Sequence, residues 1–223
     1  MKNHYWESRQ SLTPQKAFQF LMEGNERFIN NLRVNRNLLQ LVNETKDQQF
    51  PFATILSCSD SRISTELIFD QGLGDLFSIR LAGNIASVNA IGSMEYACKY
   101  LGSKLVVVMG HTNCGAVKGA CDGLEMDNLN EIFNHIRPSI EAETETLHDR
   151  TSHNKTFVNN VTRLNVHYNI DIILRKSPII TDLIETGEIN LMGAIYDVET
   201  GRVEFMQNQN EKILAYEKDA YKI

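Results

Sequence analysis

The chain has 223 residues, of which 42% are hydrophobic and 22% charged, enough for one core of ordinary size. Its formal net charge of −6 gives no long-range attraction to nucleic-acid phosphates or anionic membranes, and no apolar run is long enough to span a bilayer. The opening "MKNHYWESRQ" lacks the apolar segment of a secretory signal and four cysteines make no disulfide framework at this length, so a reducing cytoplasm is the expected compartment.

Thr13-Pro14 starts a helix, with Thr13 as N-cap and proline at the first helical position. Ala17, Leu21, Phe28 and Leu32 then recur at helical spacing, an amphipathic arm that packs on the core or on a partner subunit. "NETKDQQFP" breaks the pattern before a strand from Phe52 to Ser57. A short helical piece, "STELIFDQ", and the turn "GLGD" lead to a second strand, "LFSIRLA". The helix "VNAIGSMEYACKYLG" closes on Gly102, a residue suited to a left-handed C-cap.

"KLVVVMG" is nearly all aliphatic, as expected of a strand covered on both faces of a parallel sheet. "CGAVKGACDG" opens another helix, and a polar helix follows over "DNLNEIFNHIRPSIEAETETLHDR", where Pro138 is expected to kink or end the first half. Further helices are predicted from Lys155 to Arg175 and from Pro178, before a closing strand pair, "EINLMGAIYDV" and "VEFM". The alternation predicts an α/β fold, a mostly parallel central sheet flanked by helices. One domain over 1–223 is expected, with an N-terminal helical arm over about 1–35 and a C-terminal extension over about 205–223.

Two strand ends carry the chemistry. "ILSCSDSRIS" ends an aliphatic run in Cys58 and then places Asp60 and Arg62 at alternate positions; "VVVMGHTNCGAV" ends another in His111, with Cys114 three residues on. Open parallel sheets hold their ligands beyond the carboxyl ends of the strands. If these two strands are near neighbours, two thiolates and one imidazole converge at one sheet edge. That set suits a catalytic zinc with a fourth position left for water. Asp60 is then either a fourth ligand or an acceptor for the metal-bound water, and Arg62 favours the second role by holding the carboxylate ionised and turned away. Cys98 and Cys121 sit among apolar helix neighbours as small hydrophobes, while His4, His135, His148, His153 and His167 read as surface residues.

"CSDSR" followed by "HTNCGAVKGA" resembles the β-class carbonic anhydrases, and the resemblance continues through "DQGLGDLFSIRLAGN", "GSMEYA" and "LMGAIYDVETGRVEF". It implies one Zn²⁺ per chain held by Cys58, His111 and Cys114, with Asp60 and Arg62 as the catalytic dyad that orients the zinc-bound water. The implied reaction is reversible hydration of CO2 to bicarbonate and a proton, with turnover expected to climb from pH 7 to 9. Gln49 matches the family's substrate-binding glutamine; Phe77 and Tyr96 are expected in the apolar wall, and the Gly115 N–H is placed to donate to bicarbonate at a helix start.

The family also implies a homodimer or homotetramer, with active sites near the dimer interface. Its bicarbonate-regulated subgroup carries a tryptophan where this chain has Ile55, although Arg80 matches the accompanying arginine; the departure favours an open site, with Asp60 as a conditional fourth ligand at low pH. Leu81 stands where many members carry asparagine. Two other readings stay open: a hydrolase of carbonyl sulfide or carbon disulfide on the same scaffold, and a non-catalytic zinc or bicarbonate sensor.

Overall fold

The computed structural model describes residues 12–206. The start of the arm with His4, and the expected C-terminal extension from 207 onward, lie outside the described residues.

The arm is helix α1 (Pro14–Ile29), whose N-cap Thr13 accepts a hydrogen bond from the Lys16 N–H. Its buried face is Ala17, Phe20, Leu21, Gly24 and Asn25. Leu32, expected on that face, lies beyond the helix end and is exposed. The face docks on the core of its own chain. A Cβ on Gly24 would sit 1.8 Å from the Phe69 carbonyl oxygen, so only glycine permits the approach. Asn25 donates to the carbonyls of Ile68 (3.1 Å) and Gly201 (2.9 Å) and accepts from the Val203 N–H (2.9 Å). Asn25→Ala is expected to orphan these buried groups and cost about 3 kcal/mol of stability, measured by urea unfolding.

Helix α2 (Leu38–Thr45) is an element the sequence reading passed over. Its signals were local: Asn37 caps the Gln40 N–H, and Leu38, Leu41 and Val42 share helical spacing, although only Leu41 is buried.

Five strands form one sheet in the order β2-β1-β3-β4-β5, with β1 Ala53–Ser57, β2 Leu76–Arg80, β3 Leu105–His111, β4 Asn190–Tyr196 and β5 Val203–Phe205. The first four run parallel, and β5 returns antiparallel to β4. Side chains alternate faces. Ile55, Val107 and Met109 pack with α1 and with Ile68 of the short helix α3 (Thr65–Ile68). Leu56, Val106 and Val108 pack with α4 (Val88–Lys99), α7 (Lys155–Lys176) and α8 (Pro178–Glu185). Both faces are covered, and β1 and β3 are buried along their whole length.

Helices α5 (Gly115–Cys121) and α6 (Leu129–Ala142) cover the carboxyl end of the sheet with α7. Helix α6 continues four residues past Pro138, which therefore does not end it. Phe133, Ile136 and Ser139 remain buried along one face, and that packing holds the helix across the missing N–H. Among the described residues, no helix is long and apolar enough to cross a membrane.

Candidate metal centre

Strands β1 and β3 are direct neighbours, in parallel register with Ser57 opposite Met109. Cys58, one residue beyond β1, therefore stands level with the last residues of β3, where His111 ends the strand. The turn after His111 folds back through Asn113, which takes a left-handed φ of 59°. Cys114 then serves as N-cap residue of α5. Thr112 ties this turn to the end of β4: its N–H donates to the Tyr196 carbonyl, its hydroxyl donates to Asp197, and its hydroxyl oxygen accepts from the Val198 N–H.

The result is a buried cluster in which both sulfurs and one imidazole nitrogen lie within 4.8 Å of one another. His111 Nδ1 is 3.0 Å from the Thr112 carbonyl, which assigns the ring proton to that nitrogen. Nε2 is buried without a hydrogen-bond partner, a lone pair with nothing else to satisfy it. An orphaned imidazole nitrogen beside two thiols is the donor set of a soft or borderline cation, so these residues fit zinc. The Cys58 thiol is held well below the usual thiol range, chiefly by the hydrogen bond from the neighbouring Cys114 thiol. Cys114 is pushed the other way by the neighbouring Cys58 sulfur and by burial.

Asp60 lies outside the cluster of three. Arg62 grips both its oxygens, Nε to Oδ1 at 2.9 Å and Nη2 to Oδ2 at 2.7 Å, and the Arg62 N–H adds a third bond to Oδ1. The Arg62 hydrogen bonds hold the Asp60 carboxyl well below the usual carboxylate range. Arg62 also reaches the Asn113 carbonyl, joining the Cys58 loop to the His111–Cys114 turn.

Two groups that the sequence reading did not place at the metal centre build it as well. Arg80, at the end of β2, donates to the carbonyls of Cys58 (3.2 Å) and Asp60 (2.7 Å), bracing the loop between them. The Gly83 backbone is the second, one of the groups that lower the pKa of the Cys58 thiol. Nothing in the local sequence marks a backbone group of this kind.

The expected substrate residues divide. Gly115 stands beside Cys114 at the first turn of α5, with open space around it. Phe77 and Tyr96 are together, ring centroids 6.4 Å apart, but at the other end of the sheet. Phe77 pairs with Thr54, so it lies about 13 Å of strand away from Cys58 at the usual rise per residue. Gln49 precedes β1 and is exposed at that same remote end.

A carbonic anhydrase family model matches residues 53–203, a span that contains every residue of this centre. The chain belongs to the β-class carbonic anhydrases. Carbonic anhydrase 2 of Mycobacterium tuberculosis is 33% identical over 196 residues, covering 85% of this chain and 91% of the relative. The carbonic anhydrase of Mycolicibacterium smegmatis is 31% identical, with 86% and 92% covered. The structure of the β-carbonic anhydrase CcaA superposes with a TM-score of 0.65 at 26% identity, covering 86% of this enzyme and 92% of that chain. A tetrameric β-carbonic anhydrase from Sordaria macrospora shares the fold at 24% identity, with a TM-score of 0.66 and 86% and 97% covered.

Proposed function

We propose that Cys58, His111 and Cys114 bind one zinc ion per chain, and that the enzyme interconverts CO2 with bicarbonate and a proton, using Asp60 and Arg62 as its catalytic pair. The observation that carries this is the buried three-donor cluster beside a carboxylate that is already committed to an arginine. Zinc in that cluster would acidify a water molecule in its fourth coordination position. The chain's own residues do the rest. Cys58 and Cys114 supply negative charge, and His111 supplies the unshared Nε2 lone pair. Asp60, with its side chain 17% exposed, keeps one acceptor site on Oδ2 to take a hydrogen bond from the attacking water and so orient it. A fourth-ligand role for Asp60 requires breaking its two-pronged contact with Arg62, which disfavours the closed, sensor-like site. The Gly115 N–H at the start of α5 is the donor we assign to a product oxygen.

Gln49, Phe77 and Tyr96 can form a substrate wall only for the strand-end site of a second copy, because within one chain they face the wrong end of the sheet. We therefore read the working unit as a homodimer, alone or paired into a tetramer, with its sites between copies. Sedimentation equilibrium is expected to return at least twice the 25.4 kDa chain mass. A fully active monomer would remove these three residues from the site.

Stopped-flow hydration of CO2 by zinc-replete protein tests the reaction itself. The rate is expected to rise through pH 7 to 9 and to vanish on chelation of the metal. A preparation that hydrolyses carbonyl sulfide and leaves CO2 untouched would overturn the assignment.

A further inference from the structure

We propose that Thr112 and Asp197 are positioning residues of the metal centre, which aim the His111 imidazole by fixing the carbonyl that takes its ring proton. This inference rests on the zinc reading above.

One residue beyond His111, the Thr112 N–H donates to the Tyr196 carbonyl at 2.9 Å and extends the ladder between β3 and β4. The Thr112 hydroxyl then reaches past the end of β4. It donates to Asp197 Oδ1 at 3.1 Å and accepts from the Val198 N–H at 3.0 Å. Asp197 is itself held. Its Oδ1 also accepts from the Glu199 N–H at 3.0 Å, and its Oδ2 accepts from the Thr200 hydroxyl at 2.8 Å. Its backbone closes the turn to β5, with the Asp197 N–H on the Arg202 carbonyl and the Gly201 N–H on the Asp197 carbonyl. Helix α1 seats that turn through Asn25, which donates to the Gly201 carbonyl. A chain of bonds thus runs from the arm to the residue after the metal ligand.

Thr112 is held at two points, its N–H and its hydroxyl, and both branches meet at its Cα. The peptide that follows carries the Thr112 carbonyl. A peptide is planar, so its direction follows from the residues on either side. On the far side stands Asn113, whose left-handed φ of 59° is a shape asparagine tolerates better than most side chains. Arg62 holds the Asn113 carbonyl at 3.3 Å, and Lys118 holds the Asn113 side chain. With both flanks fixed, the carbonyl between them lies 3.0 Å from His111 Nδ1.

A turn-capping aspartate needs only the donors of its own turn, and here Glu199 and Thr200 supply them. The turn closes without the bond to Thr112, which lies 85 residues away in sequence. What that bond secures is the ring. An imidazole rotates about its last side-chain bond until one nitrogen is engaged, and a carbonyl on Nδ1 fixes both rotation and tautomer. Nε2 is then left with the lone pair, buried without a hydrogen-bond partner beside Cys58 and Cys114.

The test uses full-length protein loaded with cadmium-113 and labelled with nitrogen-15. In the wild type, the metal is expected to couple to His111 Nε2, and the Nδ1 proton to exchange slowly with water. Coupling through Nδ1 overturns the proposal. Thr112→Val removes the hydroxyl at nearly constant shape, and should speed Nδ1 proton exchange and release zinc about 10-fold faster. Thr112→Ser keeps the hydroxyl and should restore both readouts. Asp197→Asn weakens the charged acceptor at nearly constant size. It should move both readouts in the same direction as Thr112→Val, and it carries the test where that variant does not fold. Thr200→Val breaks only the turn's own bond to Asp197, so it should lower the melting temperature and leave both readouts in place. Thr112→Val protein that loses stability with exchange and zinc release unmoved would reduce the pair to structural residues, as would a Thr112→Ser variant that restores neither. Wild-type protein that binds cadmium through neither nitrogen of His111 sinks the zinc reading instead, so the two failures are distinguishable.

Discussion

Cys58→Ala protein is expected to purify folded, without zinc and without CO2 hydration. The fold does not depend on the centre. Two large apolar clusters line the two faces of the sheet, and Cys58 belongs to neither of them. What the substitution removes is one of the three donors proposed to hold zinc. Loss of an outer partner already costs about 10- to 100-fold in metal affinity, so loss of a ligand should exceed about 100-fold. Elemental analysis of the dialysed protein, with far-ultraviolet circular dichroism as the control for folding, gives the answer. Stoichiometric zinc in the variant would mean that the metal is held elsewhere.

Asp60→Asn should have the second largest effect, and a different signature. The amide is the same size and leaves the three donors untouched, so zinc content should stay near that of the wild type. Hydration should fall about 100-fold or more, the usual scale for a group that handles the reacting proton. The pH dependence separates this carboxylate from the group that titrates during turnover. The Arg62 contacts depress the Asp60 pKa in the folded protein, so the side chain is ionised throughout the working range. The rise in rate between pH 7 and 9 therefore belongs to another group and should survive, at lower amplitude, in the variant.

The same shift has a stability consequence with a definite sign. A folded-state pKa below the unfolded value of about 3.9 stabilises the fold fully above that pH, and the contribution is lost as pH falls towards the folded value. Unfolding experiments should show a gap between wild type and variant that is constant above about pH 5 and shrinks below about pH 4. Full zinc with full activity in Asp60→Asn would end the catalytic role assigned to this residue.

Much of the fold was legible because its signals are local. The Thr13 cap ahead of a proline marks a helix start and accepts the expected backbone N–H, and the helix expected from Pro178 begins there. The aliphatic run of β3 announces a strand buried on both faces, and Gly102 adopts the left-handed conformation its position suggested. Helix α2 shows the limit of such signals. It has a capping asparagine but buries a single leucine, so its apolar pattern was weak beside that of α1. Pro138 shows the opposite limit: of the two outcomes expected of it, a kink or an end, the end does not occur, because the packing of α6 overrules a strong local breaker.

The sequence alone determined which atoms are available for chemistry: two thiols, one imidazole and an aspartate two residues from an arginine, each just beyond an apolar strand. It also determined the alternation of strand and helix that makes a parallel sheet, because side-chain polarity has a different period in each element. Tertiary structure decided that β1 and β3 are neighbours in register, so that donors more than fifty residues apart arrive at one level. It decided as well that Arg80 braces the loop after Cys58 and the Gly83 backbone acts on its thiol, and that Gln49, Phe77 and Tyr96 lie at the far end of the sheet. The physical reason is common to all three. Strand order, backbone orientation and distance along a sheet are set by packing between elements remote in sequence, and a backbone N–H carries no side-chain identity by which it could be read in advance.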